Sequence, residues 1–240
     1  MPTDYYPTIL IPAYQPNENL VKLIKALRQA RAKQRIIVVD DGSDADKQII
    51  FSKIQHLNVE LLQHTKNKGK GQALKTGFQY WLATSHPRDL GLVTADADGQ
   101  HLPQDILHLC DAFMQKPSDL YLGKRTFNKV PIPWRSRIGN KLTKYILRLF
   151  SKTDLEDTQT GLRAIPRKLL PALLSSNATG YEFELEMILI AEENQVLIQE
   201  IPIKTVYIDH NNSSHFNPLM DSIEIYFVFM RFAAISLISA

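Results

Sequence analysis

Leu92-Val93-Thr94-Ala95-Asp96-Ala97-Asp98-Gly99-Gln100-His101 is the stretch on which the fold of this chain turns. Leu92, Val93 and Ala95 are the end of a buried strand, and polarity then begins abruptly with Asp96 and Asp98. In a strand, residues i and i+2 share a face, so both carboxylates are expected to point the same way. Gly99 supplies the tight turn that follows them. Paired carboxylates repel unless a cation is near. Hard divalent ions such as Mg²⁺ bind through one or two carboxylates plus substrate phosphates. The pair is therefore either a metal site for a diphosphate-bearing ligand or an Asp-rich turn closing a strand, and its place in the chain has to decide.

Outward from this stretch, short apolar runs alternate with helical periodicity. Thr8–Ile11 is a strand halted by Pro12, and Arg35–Val39 is a second strand that ends in Asp40-Asp41-Gly42-Ser43. Between them Leu20, Leu23, Ile24 and Leu27 fall at helical spacing behind Asn17 or Asn19 as a cap. A helix at Asp46–Gln55 and a strand at Val59–Gln63 follow. Alternation of this kind predicts an α/β fold with a parallel sheet covered on both faces. In such sheets ligands bind beyond the carboxyl ends of the strands. Pro-Ala-Tyr, Asp-Asp-Gly-Ser and Asp-Ala-Asp then collect on one edge.

Lys66-Asn67-Lys68-Gly69-Lys70-Gly71 opens a helix carrying Ala73, Leu74, Phe78 and Trp81. Free N–H groups, the helix dipole and the ammonium charges would make it an anion site; otherwise it is a solvated basic loop. It is not a Walker A loop, and no G-x-G-x-x-G follows the first strand, which argues against a dinucleotide-binding dehydrogenase. Further on, a helix at Asp105–Gln115 leads to a strand at Leu120–Leu122 and then Gly123-Lys124-Arg125. Ile138, Leu142, Tyr145, Ile146, Leu149 and Phe150 form a helical stripe, core in preference to lipid-facing. A polar turn, Asp157–Gly161, precedes a strand at Leu162–Ile165. Tyr181–Ile190 is a helix, and Leu197–Ile208 reads as two strands joined at Pro202.

With 240 residues the chain has room for a sizeable core, and 44% hydrophobic and 22% charged residues are those of a globular protein. A net charge of +3 gives no footing for nucleic acid. The single cysteine, Cys110, excludes an internal disulfide, suits a reducing compartment, and lies in line with Ile106 and Phe113 as a core thiol. The N-terminus lacks the basic and apolar regions of a signal peptide.

Ile11-Pro12-Ala13-Tyr14, Val38-Val39-Asp40-Asp41-Gly42-Ser43, Asn67–Gly71, Asp96–His101, Gly123-Lys124-Arg125 and Asp157–Arg163, in this order, resemble the family 2 glycosyltransferases of the GT-A fold. More narrowly, they resemble the branch that makes polyprenyl-phosphate sugars, over about Ile9 to Arg231. The resemblance implies a mostly parallel Rossmann-like sheet flanked by helices, with residues 1–218 as the GT-A domain and 219–240 as an apolar or amphipathic helix at the membrane interface. It implies that Pro12, Ala13, Tyr14 and Asp41 surround a uracil or guanine, with Lys70 and Asp96 also on the nucleotide-sugar. Asp98 and Gln100 would hold Mg²⁺ or Mn²⁺, and Arg125 and Arg137 would meet the diphosphate or the acceptor phosphate. Asp157 would be the base if the acceptor were a hydroxyl.

The chain departs from the family at Pro16, where an acid is usual, and at Glu182-Phe183-Glu184, where archaeal relatives carry a basic residue. Both glutamates are expected to be solvated rather than on sugar hydroxyls. Tyr207–Phe216 is expected to be a loop over the site, with His215 as a phosphate contact or an ordinary loop histidine. The implied partners are a nucleoside diphosphate sugar and a polyprenyl phosphate, with no nucleic acid, at the cytoplasmic face of a membrane. Ile223–Ala240, interrupted by Glu224 and Arg231, is a packed helix, an interfacial helix or the approach to membrane spans. The rival activities are transfer to a saccharide hydroxyl, non-catalytic nucleotide-sugar binding, and nucleotidyl transfer. The last would want a Gly-rich basic first loop, where this chain has Pro12-Ala13-Tyr14-Gln15-Pro16.

Overall fold

Apolar runs near the N-terminus meet as neighbouring strands. The computed structural model describes residues 6–125, 155–158 and 160–204. Strand β1 (Thr8–Ala13) lies parallel to β2 (Ile36–Asp40), and β3 (Glu60–Gln63) extends the sheet beyond β2. On its other side β1 pairs with β4 (Gly91–Thr94), again in parallel. With β5 (Leu120–Arg125), β6 (Arg163–Pro166) and β7 (Ile198–Ile203) the order is β3-β2-β1-β4-β6-β5-β7. β6 runs antiparallel to β4 and β5; the other pairs are parallel. The expected α/β class, a mostly parallel sheet flanked by helices, is the one observed.

Helices α1 (Glu18–Ala30), α2 (Gln48–Gln55) and α4 (Pro103–Gln115) cover one face, and α3 (Lys70–Thr84), α5 (Leu170–Leu174) and α6 (Glu182–Glu193) the other. Strand alternation produces the two layers. Leu10, Ile37, Val39 and Leu92 pack toward α3 and α6, while Ile9, Ile11, Val38 and Val93 pack toward α1 and α4. Asn17 caps α1, its side chain accepting the Asn19 N–H at 2.9 Å. Cys110 is buried in the second layer, which pushes its thiol up to about 12 and fits the expected core role.

Two prolines act differently from expectation. β1 does not stop at Pro12 but runs to Ala13. Ala13 accepts from Asp41 N–H on the β2 side, so alternate residues face β4, and Pro12 comes after the last β1–β4 pair, Leu10 with Thr94. Its missing N–H therefore costs no ladder bond. Pro202 likewise does not divide two strands; it lies inside β7, at the sheet edge, where one side of the strand needs no partner.

The strand order reverses between β1 and β4, the topological switch at which sheets of this class form their ligand crevice beyond the carboxyl ends of the strands. β5 runs in the same direction as β4, so Arg125 emerges on this edge, and the pairing of Thr94 with Arg163 brings the turn before β6 there too. Arg137, the stripe from Ile138 to Phe150, the 207–216 segment with His215 and the 219–240 segment lie outside the described residues. Among the described residues, no helix is long and apolar enough to cross a membrane.

Candidate active site

Asp40 and Asp41 close β2 and have separate tasks. Asp40 fixes its own turn: Oδ1 accepts the Ser43 N–H at 2.9 Å, and Oδ2 accepts from Gln63 Nε2 at 3.0 Å. Gly42, at φ +72°, makes that turn possible. Ser43 Oγ in turn accepts the Gln15 N–H at 2.9 Å, joining the turns after β1 and β2. Pro12 and Ala13 are buried there, Tyr14 is exposed, and the Asp41 N–H donates to Ala13 O at 2.8 Å. The residues expected around the base thus meet at one edge. The Asp41 carboxylate itself is buried, accepting from His64 Nδ1 at 2.6 Å, Lys68 N–H at 3.0 Å and Gly69 N–H at 2.9 Å.

That arrangement corrects the expectation of free N–H groups at the start of α3. The Lys68 and Gly69 N–H groups hold the protein's own Asp41, and Gly71 and Gln72 N–H donate to Gly180 O and Thr179 O at 3.1 and 3.0 Å. What the loop offers the crevice is a charge. Lys70 Nζ lies 2.7 Å from Asp96 Oδ1 and 3.0 Å from Glu184 Oε1, with the Tyr181 ring centroid 5.5 Å away. One ammonium between two carboxylates neutralises one of them. Burial pushes Asp96 up, but Lys70 and then His101 overcome it and bring the carboxyl down to about 2. Glu184 stays above the usual carboxylate range because burial outweighs Lys70 and Arg163. Burial disfavours the Lys70 charge, yet Asp96 and Glu184 raise its pKa above the ordinary lysine value.

β4 ends at Thr94, so Asp96 and Asp98 sit in the following turn rather than alternating along a strand. The Asp96 N–H donates to His101 Nδ1 at 3.0 Å, and burial holds that ring's pKa below the usual histidine value. Gly99, at φ +88°, turns the chain as expected. Asn19 Nδ2 donates to Asp98 O, and Asp98 Oδ1 accepts the Gln100 N–H, both at 2.9 Å. Burial, then the charge of Asp96, pushes the Asp98 carboxyl up to about 6. Such a carboxyl lies in a place short of positive charge. Among the described residues no group of three or more His, Cys, Asp or Glu side chains converges as a metal cage. An all-oxygen, partial donor set of Asp98 and Gln100 suits Mg²⁺ or Mn²⁺ completed by ligand phosphates, and does not suit a structural zinc.

Arg125 stands on the other flank. Asp157, wholly buried at its side chain, accepts from Arg125 Nε at 2.6 Å, from Nη2 at 2.9 Å and from the Arg125 N–H at 3.2 Å. The candidate base therefore serves as the anchor of a guanidinium. Arg163, fully buried, donates to the carbonyls of Thr158 and Thr160 at 3.0 and 2.9 Å and also to Glu184 O.

The expectation that Glu182 and Glu184 are solvated is wrong: both are buried. Glu182 Oε1 accepts the Thr179 and Gly180 N–H groups at 2.7 and 2.8 Å, and Glu184 faces Lys70. A signal existed, since Phe183, Leu185, Met187, Ile188, Leu189 and Ile190 surround the helix with apolar side chains, and such a helix has no solvent face. His64, which holds Asp41, is a residue of the site that sequence reasoning missed, and nothing local marks it.

The family described as "Glycosyl transferase family 2" matches residues 8–174. The chain is 30% identical over 221 residues to the UDP-N-acetylglucosamine–dolichyl-phosphate N-acetylglucosaminyltransferase of Methanococcus voltae, covering 85% of this chain and 86% of that one. It is 28% identical over 203 residues to the polyprenol monophosphomannose synthase of Mycolicibacterium smegmatis, covering 81% and 75%. Among solved structures it resembles glucosyl-3-phosphoglycerate synthase from Mycobacterium tuberculosis in complex with Mn²⁺, UDP and glucosyl-3-phosphoglycerate. That likeness has a TM-score of 0.68 at 17% identity over 95% of this chain and 80% of that one, and it shows a shared GT-A fold.

Proposed function

The chain belongs to glycosyl transferase family 2, and from that premise we propose that it moves a hexose from a UDP- or GDP-sugar to a polyprenyl phosphate at the cytoplasmic surface of a membrane, with inversion at C1. The observation that carries the acceptor is the Arg125–Asp157 pair. A hydroxyl acceptor needs a base to take its proton, but here the acid in that place is buried and spent on fixing a guanidinium. A fixed guanidinium is a receptor for phosphate. A phosphate monoester has a second pKa of about 6, so it arrives with an ionised oxygen.

In this reading Pro12, Ala13, Tyr14 and Asp41 hold the base, while Lys70 and Asp96 also bind the nucleotide-sugar, Asp96 on its nucleoside side. Asp98 and Gln100 hold Mg²⁺ or Mn²⁺, which when bound stabilises the negative charge of the departing diphosphate. Arg125, and Arg137 with it, positions the acceptor phosphate. The acceptor oxygen forms its bond to C1 on the face opposite the leaving oxygen; the C1–O bond breaks, and the nucleoside diphosphate leaves with that electron pair. No proton has to move. The segment 219–240 is proposed to rest on the bilayer, where the acceptor's head group lies.

The test is transfer of labelled sugar from a panel of UDP- and GDP-sugars, with Mn²⁺, to vesicles containing undecaprenyl phosphate. Label in the organic phase together with free nucleoside diphosphate is the expected result. Label that moves only onto added saccharides would replace this acceptor with a hydroxyl.

A further inference from the structure

Asp41 commits most of its accepting capacity to the protein itself. Oδ1 accepts from His64 Nδ1 at 2.6 Å and Lys68 N–H at 3.0 Å, and Oδ2 accepts from Gly69 N–H at 2.9 Å. A carboxylate has about four lone-pair positions, so the one remaining lies on Oδ2. His64 is itself held in place: Nε2 is 2.9 Å from Thr76 Oγ1 on α3, the backbone N–H donates to Asp40 O, and the ring is buried. A bare lone pair on Nδ1 would face the lone pairs of the carboxylate. In either protonation state of the ring, that nitrogen therefore carries hydrogen.

The two candidate bases ask different things of such a group. Uracil presents a single N–H, at N3, flanked by two carbonyl oxygens. Guanine presents N1–H and an amino N–H side by side, the pattern a carboxylate meets with both oxygens at once. With Oδ1 filled by His64 and Lys68, the two-oxygen grip is closed and the one-oxygen grip is open. We propose that the nucleobase is uracil and that His64 is the specificity-determining residue, because its ring occupies the oxygen that guanine's second donor would need. The inference rests on the reading above that Asp41 meets the base. A guanine placed there would bury one donor without a partner, a penalty worth roughly 10–100-fold in affinity.

Calorimetric titration of the full chain with Mn²⁺ and, in turn, UDP, GDP and pyrophosphate tests this. The wild type is expected to bind UDP ~10–100-fold more tightly than GDP, and pyrophosphate more weakly than UDP. His64→Leu opens Oδ1, and the UDP-to-GDP ratio should fall by about 10-fold while Mn²⁺–pyrophosphate affinity holds. His64→Asn, which keeps an N–H donor toward Asp41, should retain the wild-type ratio. Equal binding of UDP and GDP by the wild type overturns the proposal. So does a folded His64→Leu that keeps the ratio, or one that loses UDP and pyrophosphate affinity in parallel, the mark of a merely structural role. UDP bound no more tightly than pyrophosphate by the wild type is a different failure, because it removes the Asp41 reading itself.

Discussion

Gly161 lies so close to Asp96 that a Cβ built on it would fall 2.4 Å from both carboxylate oxygens. The end of a side chain can swing away cheaply, so Gly161→Ala should leave the fold intact and displace Asp96 from Lys70. A misplacement of about 1 Å at a reacting centre costs ~10²-fold in turnover; steady-state rates beside an unchanged melting temperature check this, and full activity would show that the Asp96 position is slack. Arg125 and Asp157 give a second residue-level test. If Asp157 only positions Arg125, then Asp157→Asn and Arg125→Lys each lower turnover ~10–10²-fold, and the double variant is no worse than the poorer single. The rate limb near ~6, from the acceptor phosphate, then persists in Asp157→Asn. Additive losses, with a limb that vanishes, would instead make Asp157 the base and the acceptor a hydroxyl. At this scale residue types were legible in the sequence and partnerships were not. Asp96, Asp98, Arg125 and Asp157 announce themselves by charge beside turns. Nothing local tells that Lys70 faces Glu184 or that His64 reaches Asp41, because those contacts exist only once distant turns are brought to one sheet edge.

The start of α3 and the segment before α6 are clasped together. Gly71 and Gln72 donate to Gly180 and Thr179, whose own N–H groups are held by Glu182. The clasp needs glycine at 71, where a Cβ would lie 2.7 Å from Phe183 Cβ and 2.9 Å from Gly180 O. Neither neighbour is the free end of a flexible chain. Gly71→Ala is therefore expected to cost ~1–3 kcal/mol, the range for overpacking a tight contact, read from the shift of a urea midpoint. A midpoint equal to wild type would mean that the two elements separate easily and that Lys70 is not held by this clasp. Most helices and parallel strands were readable from periodicity within a residue or two at their ends, but β5 and α6 each run three residues further than their apolar pattern, and the short α5 left no pattern to read. The direction of β6 was not readable, since a four-residue strand carries too little pattern to tell which way it runs. Pro12 and Pro202 misled for one reason: a proline stops a strand only on the side that has a neighbour to bond, and neighbours are a property of the sheet.

Across the whole molecule, the crevice is assembled from both halves of the sheet. Asp41 follows β2 on one side of β1, while Asp96 and Asp98 follow β4 and Arg125 ends β5 on the other. The switch between β1 and β4 was foreseeable in kind from strand alternation, whereas the order of the last three strands was not. A nucleoside diphosphate lying across this edge touches turns that the unfolded chain leaves far apart, so it binds the folded state alone. At 100 times its dissociation constant such a ligand stabilises by about 2.7 kcal/mol. For a chain of this length each kcal/mol raises the melting temperature by roughly 2–4 °C. UDP with Mn²⁺ should therefore raise it by about 5–11 °C. The carboxyl groups of Asp96, Asp98, Glu184 and Asp157 make the edge unwelcoming to a bare diphosphate. EDTA should accordingly remove most of the shift, and Asp98→Ala should remove it even with Mn²⁺ present while keeping the ligand-free melting temperature close to wild type. An equal shift with and without metal would leave Lys70 and Arg125 as the groups that hold the diphosphate. No shift with any nucleotide would mean that the folded chain does not bind a nucleoside diphosphate, and the reading of this edge as its site would fall.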